Sequence, residues 1–113
     1  MNALDPLLVD YAAERVATAR EDIALAGRLL AAPEMDLAEA RAMLLRLTVE
    51  RTFLTAHLST VADQIARMPA SEQDDAVAQE LRPLTMAVEG AALALARLRR
   101  ALTDLETRIG ALR

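Results

Sequence analysis

Between Val77 and Leu112 the chain reads VAQELRPLTMAVEGAALALARLRRALTDLETRIGAL, and its apolar residues return at steps of four and three. The recurring set is Val77, Leu81, Leu84, Val88, Ala91, Leu95, Leu98, Leu102, Leu105, Ile109 and Leu112. Residues three and four places apart share one side of an α-helix, whereas a half-buried strand requires strict alternation. The stretch is therefore one long helical seam, disturbed only by Pro83. In this register Pro83 falls on the outer side, where a missing N–H kinks or divides a helix without disrupting its seam. The reading is a short helix over about residues 72–82 and a long one over about 84–110.

Upstream, the same three-four rhythm runs through Leu37, Ala40, Leu44, Leu47, Arg51, Leu54, Leu58, Val61, Ile65 and Met68. This marks a second helix over about 37–68, and Met68-Pro69-Ala70-Ser71 closes it, with Ser71 as the next N-cap. A first helix opens at Asp5-Pro6 and ends before Pro33, over about 6–32. Its seam, Val9, Ala12, Val16, Ala19, Ile23, Ala26 and Leu30, is built mostly of small residues. Asp36, with Glu39 three places on, restarts the chain after a short loop. Long helices joined by short loops pack as antiparallel neighbours. The expectation is an all-α antiparallel bundle of three long helices, with a short extra helix before Pro83, as a single domain over 1–113.

Composition agrees with that class and excludes much chemistry. The 113 residues are 54% hydrophobic and 27% charged, rich in the helix formers Ala and Leu, and their only aromatics are Tyr11 and Phe53. There is no cysteine and one histidine, which removes disulfides, thiolate nucleophiles and every motif needing two imidazoles. All 13 basic residues are Arg, a skew that resembles the codon bias of a GC-rich bacterial genome. The net charge of −4 argues against nucleic acid or an anionic membrane as the main ligand. No basic n-region precedes an apolar core at the N-terminus, and the apolar run of Leu84–Leu98 is too short to span a bilayer, so a cytoplasmic protein is expected.

Few side chains are candidates for a site. His57 lies beside the second seam, half-exposed in this register, and a lone His on a small helical bundle can accept a phosphoryl group. A phosphotransfer histidine is accompanied by a Lys, and this chain has none. Arg51 and His57 also fit the loose R-x5-H spacing of HEPN-type ribonucleases, without the polar residues that accompany that motif. Arg51 is an anomaly of its own, because a guanidinium at a seam position must be paired, reach to the edge of the seam, or contact a ligand or partner. Asp10, Glu14 and Glu21 on the first helix are the expected partners. Glu-x-x-His metal spacing is absent, since position 54 is Leu, and neither metal nor cofactor is expected.

Charge is uneven along the chain: residues 1–89 carry 15 acids and 8 Arg, whereas 90–113 carry 2 acids and 5 Arg. Arg97, Arg99 and Arg100 are thus a candidate grip for an acidic partner or RNA, although no aromatic is interleaved to stack on bases. Finally, residues 84–96 are apolar nearly all round. The expectation is an interaction protein without catalytic residues, binding itself and another protein through helix-on-helix contacts. Self-association is expected at an outer face built from Met86, Gly90, Leu93 and Ala94.

Overall fold

The computed structural model describes residues 4–112, and these form an all-α bundle. Helix α1 spans Pro6–Ala31 and α2 spans Leu37–Ala66. A third helical column runs without a break through α3 (Ala70–Ala76), a π-helical segment (Val77–Leu81) and α4 (Arg82–Ala111). The first two starts follow from local chemistry. Asp5 Oδ1 accepts the Leu7 N–H at 2.9 Å with Pro6 at the first helical position, and Asp36 Oδ1 accepts the Glu39 N–H at 3.0 Å. The stop is equally local: Ala32, before Pro33, is extended at φ −65° and ψ 143°.

Two expectations about the third column are corrected. Its start is Pro69, not Ser71, and the cap is made by backbone alone, with the Glu72 N–H bonding to Pro69 O at 2.9 Å. Pro83 neither ends the helix nor points outward. Lacking an N–H, proline cannot bond the carbonyl four residues back, and its ring crowds that carbonyl. The chain answers by widening the preceding turn, so that the Arg82 N–H reaches Val77 O. Helical direction is kept, and half-buried Pro83 lines a cleft with Ala12, Val16 and Gln79 on the side of α1.

The three columns pack against one another as a triangle, elongated to 65 × 18 × 17 Å. The contacts His57–Leu8, Glu50–Arg15 and Arg46–Asp22 set α2 antiparallel to α1. Gly90 beside Ile23 and Pro83 beside Ala12 set α4 parallel to α1. Inside the rod the apolar residues form two clusters. One gathers Ala12, Val16, Ala19, Leu54, Val61, Ile65, Leu84 and Ala87. The other gathers Ala26, Met43, Leu47, Ala91, Ala94, Leu95 and Leu98. Leu47, Leu54, Leu84, Leu95 and Leu98 are wholly buried, as their seams require. At the C-terminal end of the third seam Ile109, beside Leu37 of α2, and Leu112 are exposed.

The register of α2 differs from the simple repeat. Its buried positions are Ala40, Met43, Leu47, Glu50, Leu54, His57, Val61 and Ile65. A helix held between two neighbours buries an arc wider than one heptad stripe. On α2 that arc turns toward α1, taking in Glu50 and His57, and leaves Arg51 exposed.

Candidate interaction surface

The polar residues singled out above are dispersed by this arrangement. His57 is buried, not half-exposed: its Nε2–H donates to Leu8 O at 3.1 Å, and Tyr11 meets its ring edge-on at a centroid distance of 4.9 Å. Because Nε2 carries the donated proton, the imidazole is committed to holding the first turns of α1 against α2. Arg51 is exposed and does not pair with Asp10, Glu14 or Glu21. It lines a groove on the α4 side with Arg99, Thr48 and Leu95, so Arg51 and His57 face different neighbours and do not share a site. Arg97 and Arg100 are exposed on α4.

The ion pairs between α1 and α2 are inverted relative to expectation, with the carboxylates buried and the guanidinia at the edge. Glu50 takes Arg15 at 3.5 Å, and Asp22 takes Arg46 at 3.5 Å. Arg15 also stands 5.7 Å above the Tyr11 ring. Three buried atoms of this layer, Arg15 Nε, Asp22 Oδ2 and Glu50 Oε1, have no hydrogen-bonding partner. Among the described residues no three metal-type side chains converge. No helix there is long and apolar enough to cross a membrane.

The four residues expected to form an outer face of α4 are divided between inside and outside. Gly90 faces α1, where a Cβ would stand 3.0 Å from Ile23 Cδ1, and Ala94 is buried in the second core cluster. Small residues on α4 are thus spent on close approach to α1, itself lined by Ala12, Ala19 and Ala26. Met86 and Leu93 do remain exposed, but helical spacing sets them among Arg82, Glu89, Arg97 and Arg100.

A larger unpartnered apolar surface lies on α2. Leu45 is 67% exposed, Val49 46% and Phe53 51%, and exposed Ala42 and Ala56 extend the row at either end. Beside Leu45 the row opens into a groove of about 640 Å³ between α1 and α2, walled by Leu25, Leu29, Ala42 and Met43, with Glu39 and Arg46 at its rim. The heptad repeat of α2 does not include these residues. The signal was present: Leu45, Val49 and Phe53 are large apolar residues left over once the seam of α2 is assigned. Compared with known protein families, curated proteins and solved structures, the chain matches none.

Proposed function

We propose that this protein is a non-enzymatic interaction module that docks a helix along the outward face of α2. The observation that carries the reading is the row Leu45, Val49 and Phe53, each about half or more in water, outside the buried arc of α2. Covering a large apolar side chain contributes about 1.5–3 kcal/mol when complete, so three half-exposed ones offer about 3 kcal/mol before the groove is counted. A helical partner fits because a row at three- and four-residue spacing is read by another helix's apolar face. The absence of a reaction in this reading is supported by how the polar side chains are used. His57 Nε2 bonds Leu8 O, and one oxygen each of Glu50 and Asp22 is paired, with Arg15 and Arg46. The acidic balance of the chain favours a protein partner over nucleic acid or membrane, and a cytoplasmic setting goes with it.

Photo-crosslinking amino acids placed singly at Val49, at Met86 and at exposed Ala24 test this in living cells of the source organism. The expected result is protein adducts from position 49 and none from position 24. Equal adducts from 24 and 49, or none from 49, would sink the reading, and adducts from 86 alone would move the docking surface to α4.

A further inference from the structure

The exposed row on α2 is symmetric about its own centre. Counted from Val49, its members stand at −7 (Ala42), −4 (Leu45), +4 (Phe53) and +7 (Ala56), small at both ends and large next to the middle. A two-fold axis through Val49 therefore lays Val49 on the partner copy's Val49, Leu45 on Phe53 and Ala42 on Ala56. From this we infer that the helix docked on α2 is α2 of a second copy, running antiparallel. The inference rests on the docking reading above and names its occupant.

Two further observations agree. The row carries a knob and a hole in the places that a two-fold requires. Phe53 projects half into water, and the groove of about 640 Å³ opens beside Leu45, the residue onto which the symmetry brings the other copy's Phe53. Each Phe53 then fills the other subunit's groove against Leu25 and Leu29, and a self-complementary patch of this kind closes as a dimer. The second observation is charge. The residues around the first core cluster, 4–19 and 51–89, hold nine acids and four Arg, a charge of −5. Those around the second, 20–50 and 90–112, hold eight acids and eight Arg, a charge of 0. Val49 lies next to the division between these halves. A parallel pairing would stack −5 on −5, whereas the antiparallel one sets −5 against the neutral half, so electrostatics chooses the direction.

Sedimentation and light scattering across a concentration series, with far-UV circular dichroism as the control for folding, test the pairing. The full chain should pass from monomer to dimer in the micromolar range. Phe53→Ala, which empties the groove twice per dimer, should weaken it at least about tenfold, Leu45→Glu should abolish it, and Leu93→Glu should leave it intact. Direction is read with single cysteines, which this chain otherwise lacks, and a short bismaleimide. Val49→Cys should link to itself, and Leu45→Cys should link to Phe53→Cys. Leu45→Cys should not link to itself, because the antiparallel arrangement sets those positions about 12 Å apart along the axis. A monomer up to hundreds of micromolar, a dimer lost in Leu93→Glu but kept in Leu45→Glu and Phe53→Ala, or an efficient 45-to-45 link would each overturn it. A monomeric chain that still gives adducts from position 49 with another protein overturns self-pairing alone. No adducts from 49 defeats the docking reading as well.

Discussion

Glu50 is 7% exposed, its Oε2 takes Arg15 at 3.5 Å, and its Oε1 takes nothing. A buried carboxylate in that condition costs desolvation that one long ion pair repays only in part. Two substitutions should therefore behave oppositely. Arg15→Ala strands the charge and should cost about 2–3 kcal/mol in urea unfolding, somewhat below a fully buried pair because Arg15 itself is 29% exposed. Glu50→Met, of similar volume, should be neutral or stabilising by about 1 kcal/mol. His57→Ala loses the bond to Leu8 and the edge contact with Tyr11, leaving a void, and should cost about 2 kcal/mol. The sequence located a charged residue in the α1–α2 seam but put it one place late, at Arg51 instead of Glu50. The heptad through Leu47 and Leu54 passes both positions almost equally. Only the direction of the neighbouring helix separates them, and that direction is not a local property of the chain.

At the level of elements, two glycines at ordinary helical positions, one on α1 and one on α4, differ in what they face. Gly27 on α1 has nothing within 4 Å of an added Cβ, so Gly27→Ala should gain its helix propensity, about 0.8–1 kcal/mol, and raise Tm by about 4 °C or more. Gly90 on α4 has Ile23 Cδ1 at 3.0 Å. The flexible end of Ile23 can yield to one methyl group, but Gly90→Leu forces α4 away from α1 and should cost at least about 2 kcal/mol. Thermal unfolding of the two variants checks both statements. The existence, order and approximate ends of all three long helices were legible, because Asp5-Pro6, Pro33 and Asp36 act through bonds within a few residues. The π turn before Pro83 was not, since a proline in a seam-forming helix has two outcomes, a break or a widened turn. Packing of Val77 and Leu81 on the first core cluster accompanies the second. For the same reason Gly90 and Ala94 read as an outer face: a seam names the centre of a buried arc and says nothing of its width.

For the molecule as a whole, what could be read was a bundle and an excess of apolar residues; where the excess would surface could not, because that depends on which arcs three columns cover when they meet. The divided interior has a dynamic consequence. Two apolar clusters end to end, with Asp22 and Glu50 buried near their junction, form two stretches of protective packing coupled through continuous helices and a few polar contacts. Such a rod opens in parts: amide hydrogens over one cluster can become exchangeable by an excursion that leaves the other closed. Leu47→Ala, in the second cluster, should then speed exchange of amides in 91–102 by tenfold or more beyond its effect on those in 54–65. Uniform acceleration along the chain, followed by mass spectrometry after deuterium labelling, would mean that the rod opens only as one unit. Under the divided scheme each end of the protein keeps its own lifetime, and a cell protease meets two separate thresholds along one 65 Å rod.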